Sequence, residues 1–264
     1  LENNDIYSNT DTGVYVRDEG SEAVLRDNRI YDGKRCGVIT HNKAKATLEN
    51  NDIYSNTLAG VEVGDEGSEA VLRDNRIHDC KEEGVFIHVE AKATLENNDI
   101  YSNTLAGVEV GDEGSEAVLR DNRIYDGKGA GVFIHDKAKA TLENNDIYSN
   151  TQPDVYVRDE GSEAVLRHNR IHDGKERGVL IGLNATATLE NNDIYSNTDT
   201  GVYVRDEGSE AVLRDNRIYD GKRCGVITHN KAKATLENND IYSNTLAGVE
   251  VGDEGSEAVL RDNR

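Results

Sequence analysis

The 264-residue chain contains no Trp, no Met, one Pro (Pro153), two Phe and three Cys. With so few large side chains and 36% hydrophobic residues, a wide globular core cannot be filled, and the interior must be narrow and built from Leu, Ile, Val and Ala. No apolar run approaches the ~20 residues a membrane-spanning helix needs, and no secretory signal pattern opens the chain. Positive charge is scarce. Thirty Lys and Arg face 51 Asp and Glu, and the net charge of −21 argues against nucleic acid and anionic membranes as partners. Cations and basic proteins remain. Cys36, Cys80 and Cys224 form no even set with framework spacing, and Cys36 and Cys224 occupy one site in different repeats, so neither a disulfide scaffold nor a cysteine metal site is expected.

What the chain has is repetition. LENNDIYSNT occurs at Leu1, Leu48, Leu95, Leu142, Leu189 and Leu236, always 47 residues on. Within each period a weaker copy answers it, LRDNRIYDG at Leu25, so the unit is a coil of alternately 24 and 23 residues. A fixed period of this length indicates a quasi-one-dimensional array in which each unit buries its apolar face only against its neighbours. Leu opens all twelve coils and Asn follows three positions later, at Asn4, Asn28, Asn51, Asn75, Asn98, Asn122, Asn145, Asn169, Asn192, Asn216, Asn239 and Asn263. Gly and alternating β-branched pairs such as Val61-Glu62-Val63 leave no room for a helix. The leucine-rich repeat is excluded by order, because Asn here comes three after Leu and Ile five after. The expectation is an all-β, right-handed parallel β-helix of about eleven coils, a single array over residues 1–264 and a segment of a longer one.

Stacked coils turn each position into a column. One after Leu the column reads Glu2, Arg26, Glu49, Arg73, and four after it Asp5, Arg29, Asp52, Arg76, so opposite charges are neighbours and like charges lie two rungs, ~9.6 Å, apart. The invariant Asn column is read as a structural ladder of side-chain amides. Tyr7, Tyr31, Tyr54, His78 and their successors form an aromatic column, either a ladder over a turn or a sugar-stacking platform, with the ladder preferred.

The pattern L-x-x-N-x-I-Y-x-N/G…G-V-x-V/I…A-x-L-x-x-N resembles the right-handed parallel β-helix repeats of carbohydrate-binding and sugar-hydrolase proteins. The stretch AVLRDNRIYDGKGAGVFIHDKAKATLENNDIYSNT is especially similar to the β-helix segment of F-box-only substrate receptors of ubiquitin ligases. The resemblance implies the fold over the whole chain. It implies a protein-recognition module as one function and a glycan-binding or glycan-cleaving β-helix as another.

Catalysis requires a local break in the pattern. His41, His88, His135 and His229 fall in one column on alternate rungs, separated too far to share a metal, and read as solvated surface. Asp18, Glu19 and Glu22 recur as DEGSE in six coils and are weak calcium candidates, because their spacing matches neither an EF-hand nor a repeat-in-toxin nonapeptide. Gln152-Pro153-Asp154 and the segment from Gly182 interrupt the repeat, and Asn184-Ala185-Thr186 is a glycosylation sequon, meaningful in a secreted chain. No catalytic residue, cofactor or metal is assigned, and a non-enzyme is expected, since every loop is short and copied. An outward apolar stripe of Tyr15, Ile39, Phe86, Phe133, Tyr156, Leu180, Tyr203 and Ile227 suggests lateral contact. Residues 1–76 and 189–264 are identical, and neither end carries a polar cap. The leading expectation is therefore a rod or filament scaffold whose partners are copies of itself, end to end and laterally, or a basic protein.

Overall fold

A computed structural model describes residues 1–264. Three parallel sheets of eleven strands each run the length of the rod, with every interior strand paired to the equivalent strand of the coils before and after. In the first coil these strands are Asp5–Tyr7, Val14–Arg17 and Glu22–Arg26; the sheets they begin are called one, two and three. No helix forms, so none is long and apolar enough to cross a membrane.

Register is fixed by like pairing with like. Ile6 lies against Ile30, Ile30 against Ile53, and Leu25 against Leu48. Leu, Ile, Val and Ala columns form one continuous core of 50 buried residues. A one-residue slip would turn every one of these side chains to solvent, so the alternation enforces the stacking.

The corners are set by backbone chemistry. The residue two after each Leu adopts a left-handed conformation, from Asn3 (φ 54°) and Asp27 (φ 53°) through Asp262 (φ 51°), and it is Asn or Asp at all positions except His168. Asn and Asp tolerate that region best among residues with a Cβ. One residue on, each buried ladder Asn donates through Nδ2 to Oδ1 of the next, as in Asn51 to Asn75 (2.9 Å) and Asn75 to Asn98 (3.0 Å). The same Oδ1 accepts the backbone N–H of the preceding Asn, and the second Nδ2 proton reaches a Leu carbonyl, as in Asn75 to Leu48 at 2.9 Å. Each interior amide is thereby saturated, so the corner can be buried.

A second ladder on alternate coils was missed in the sequence. Asn56, Asn103, Asn150 and Asn197 are buried, each donating to an Ile carbonyl below, with Gly33, Cys80, Gly127 and Gly174 N–H donating to their Oδ1 atoms at 3.0 Å. Their coil-by-coil alternation with Gly or Cys hides them from a 23-residue reading.

The charge columns pair as their order requires: Arg26 Nε meets Glu49 Oε2 at 2.6 Å and Arg73 Nε meets Glu96 Oε2 at 2.8 Å. These pairs are exposed, and each contributes only a few tenths of a kcal/mol.

Candidate functional site

Sheet two carries the irregular residues. Its strands point a Val, Ile or, at Thr40 and Thr228, a Thr inward on each side of an outward residue, and the outward column is Tyr15, Ile39, Glu62, Phe86, Glu109, Phe133, Tyr156, Leu180, Tyr203, Ile227 and Glu250. The apolar stripe expected to face solvent does point outward, but most of it is covered by its neighbours. Ile39, Leu180 and Ile227 are buried, Phe86, Phe133, Tyr156 and Tyr203 are half-buried, and only Tyr15 is exposed. Ile39 packs with Cys36 and Ala59 in a small second core flanked by Leu58 and Phe86. Residues from the preceding corner rise beside the strands and cover them.

The histidine column is likewise corrected. His41, His88 and His135 are mostly buried rather than solvated, and their imidazoles lean along the rod instead of standing over their own rungs. His41 Nε2 lies 3.0 Å and His88 Nε2 3.2 Å from the same Glu62 Oε1. Alternate rungs therefore do bring two histidines together. The rung between them presents Gly64, where a Cβ would fall 2.6 Å from His88 Nε2 and 2.8 Å from His41 Nε2. Burial works to raise the Glu62 carboxyl, but hydrogen bonds from His41, His88 and the Cys36 thiol hold it well below the usual carboxylate range.

Two coils further on, a different arrangement spans three rungs. His135 Nε2 meets Glu109 Oε1 at 3.1 Å and its Nδ1 meets Asp136 Oδ2 at 2.9 Å. Burial opposes protonation of His135, but these carboxylates outweigh it and raise its pKa. The Phe133 ring stacks on His135 at 4.4 Å and on Tyr156 at 5.2 Å, and the Arg158 guanidinium stands 5.1 Å from the Phe133 centroid. Leu105, Ala106, Gln152, Glu109, Phe133, Tyr156 and Arg158 line an open hollow of about 240 Å³. Gly129, Ala130 and Gln152 lie along its rim, and Gln152 is the first residue of the interruption noticed at Gln152-Pro153-Asp154. The hollow thus joins a carboxylate, a phenol, a cation and aromatic surface, with His135 stacked behind Phe133; a smaller hollow further along the sheet brings together Arg177, Tyr203, Arg223, His229 and Glu250 but no Phe.

The remaining sequence candidates lie apart. Asp18, Glu19 and Glu22 are exposed at the corner between sheets two and three, with Lys43 among the neighbouring carboxylates. In equivalent corners Lys137 pairs with Glu113 at 2.7 Å and Lys231 with Glu207 at 2.8 Å. Tyr7, Tyr31, Tyr54 and their successors stack on one another at 4.6–5.2 Å with nearly parallel planes. Adjacent rings occupy one another's faces, so this column presents edges rather than a platform for sugar rings.

The family model described as "Right handed beta helix region" matches residues 1–118 and 106–264. The chain belongs to this right-handed β-helix family. Among solved structures, the β-helix is similar to the A-module of the mannuronan C-5 epimerase AlgE6 of Azotobacter vinelandii, with 13% identity and TM-score 0.69, covering 94% of this chain and 84% of that one. The AlgE4 A-module of the same organism is 17% identical with TM-score 0.59, covering 98% and 86%. A variant of the periplasmic alginate epimerase AlgG is 15% identical with TM-score 0.68, covering 88% of this chain, which spans 65% of that protein's length. No curated protein matches.

Two expectations are revised by these findings. Nothing supports the finer likeness to F-box-only ubiquitin-ligase receptors; the solved structures similar in fold include alginate and mannuronan epimerases. The expectation of a non-enzyme is overturned by the same neighbours, since enzymes occupy this fold across most of the aligned length. Short copied loops were a poor reason to look no further, because the titratable groups brought together here stand on the sheet itself.

Proposed function

We propose that this β-helix binds and acts on an extended polysaccharide laid along the outer face of sheet two. The observation that carries the reading is the hollow lined by Glu109, Phe133, Tyr156 and Arg158, with His135 bonded to Glu109 behind it. Phe133 and Tyr156, whose faces are largely taken by each other, His135 and Arg158, supply apolar ring edges against which a sugar can pack. His135, held between two carboxylates, is a proton donor or acceptor; Tyr156 is a second; Arg158 can pair with a sugar carboxylate. The epimerases similar in fold act, by their names, on alginate and mannuronan, which makes an acidic glycan the first substrate class to test. The net charge of −21 opposes long-range attraction of such a chain, so recognition would rest on contacts at this hollow and weaken little with salt. Repetition and acidity fit a rod scaffold equally, but they give no reason for the hollow.

The test is to incubate the protein with alginate, mannuronan, pectate and neutral glucans, and to follow anomeric proton signals by NMR and the appearance of unsaturated ends by absorbance. Conversion of one glycan, lost in His135→Ala and Tyr156→Phe, is the expected result. Neither binding nor conversion of any of them would overturn the reading.

A further inference from the structure

The cluster on coils two to four is separate from the hollow and has a different composition. His41, Glu62 and His88 come from three successive rungs of sheet two, and their nearest nitrogen and oxygen atoms all lie within 4.8 Å of one another. We propose that His41 Nε2, His88 Nε2 and Glu62 Oε1 are the ligands of a divalent transition-metal ion, with zinc the fitting choice.

The geometry is close to what a metal needs. In a tetrahedral site with metal–nitrogen and metal–oxygen bonds of ~2.0–2.1 Å, ligand atoms are about 3.3 Å apart. Here the two nitrogens lie 3.0 and 3.2 Å from the carboxylate oxygen, so a few tenths of an ångström of spreading admits the ion. The imidazole planes cross at 76° rather than stacking, and both Nε2 atoms converge on Glu62 Oε1.

The surroundings hold each ligand in position. Cys36 Sγ donates to Glu62 Oε2 at 3.0 Å, fixing the far oxygen and leaving Oε1 for the shared position. The Phe86 ring stacks on His88 at 4.3 Å and sets its rotation. On the opposite ring edges, His41 Nδ1 lies 3.7 Å from Asp65 Oδ2 and His88 Nδ1 4.0 Å from Asp112 Oδ2. A carboxylate behind a ligating histidine is the usual outer partner of such sites. Gly64 is what makes room, since any side chain there would occupy the space where the nitrogens converge.

The arrangement does not follow from the repeat alone. At the equivalent Gly111 only His135 leans in, because His88 has turned toward Glu62. Cys224, His229, Glu250 and Gly252 repeat one half of the site, with His229 Nε2 3.1 Å from Glu250 Oε1. Two imidazoles and one carboxylate favour zinc and its transition-metal neighbours over calcium and magnesium, which prefer all-oxygen sites. Three protein ligands also leave a coordination position for water or a ligand. This inference does not rest on the glycan reading.

The test is titration of the chelator-stripped full chain with zinc chloride by calorimetry, and with cobalt chloride by visible absorption. One strong site per chain with the cobalt bands of a four- or five-coordinate ion is expected. Glu62→Gln, His88→Ala and Gly64→Ala should each weaken binding at least tenfold, whereas Cys36→Ser and Tyr54→Phe should change it less than threefold. Circular dichroism checks that each variant keeps its rod. If Glu62→Gln does not, His41→Gln and His88→Gln, which keep an amide in hydrogen-bonding reach of Glu62, give the same reading. Absence of saturable uptake, or uptake unaffected by His41 and His88 substitutions, would overturn the site.

Discussion

Asn150 donates through Nδ2 to Asp154 Oδ1 at 2.8 Å, inside a corner where other coils have Gly. Asp154 is fully buried, and its other oxygen, Oδ2, has no hydrogen-bond partner and abuts Gly174. Burial, outweighing the Asn150 hydrogen bonds, pushes its carboxyl well above the ordinary 3.8. An acid whose folded pKa exceeds its unfolded one binds its proton more tightly when folded. Its contribution is therefore fully present below about pH 3.8 and is lost as pH rises toward the folded value. Asp154→Gly should stabilise the rod at pH 7 by ~1–3 kcal/mol, the usual penalty of an unsatisfied buried group. It should also flatten the fall in stability above pH 4, as read from urea midpoints across that range.

Val89 adopts φ 52° in the two-residue turn where Asn42 and Asn230 stand in sister coils. A β-branched residue is strained there by ~1–2 kcal/mol relative to its normal region. Val89→Asn should raise the denaturant midpoint by a corresponding amount, and Asn42→Val should lower it.

Asn122 sits mid-rod, donating to Asn145 Oδ1 at 3.0 Å and to the Leu95 carbonyl at 2.9 Å while accepting from Asn98. Asn122→Ala strands groups on both neighbouring rungs. A loss of ~2–4 kcal/mol is expected from two or more unpaired buried partners. Asn4→Ala, at an exposed end, should cost far less; the comparison is made by urea unfolding.

Cys36 and Cys80 are buried, and burial raises both thiols, Cys36 further through its hydrogen bond to Glu62 and Cys80 to about 11. Thiolate is the reactive form. A chromogenic disulfide reagent at pH 8 should titrate these two at least tenfold more slowly in the folded chain than in urea.

Most of the fold was legible because it is written in columns. Leu25, Asn28 and Ile30 occupy the same places in every coil, so their inward direction and the amide ladder follow from spacing alone. The sites were less legible because they depend on side chains crossing between rungs. His41 and His88 look remote when each is placed over its own coil, and only the absence of a Cβ at Gly64 reveals why they converge. Gln152-Pro153-Asp154 was visible as an interruption, but the place of Gln152 on the rim beside Phe133 and Tyr156 lies in three dimensions. The outward stripe was placed on the correct face and misjudged in exposure, since neighbouring corners shelter Ile39, Leu180 and Ile227.

The most direct measurement of the central claim is saturation-transfer NMR of alginate, pectate and glucan oligomers with the native chain and with Phe133→Ala, Arg158→Ala and Tyr54→Phe variants. The account predicts saturable transfer to one glycan class, reduced at least fivefold by Phe133→Ala and Arg158→Ala and unchanged by Tyr54→Phe. Transfer that survives both substitutions at the hollow, or none to any oligomer, would contradict it.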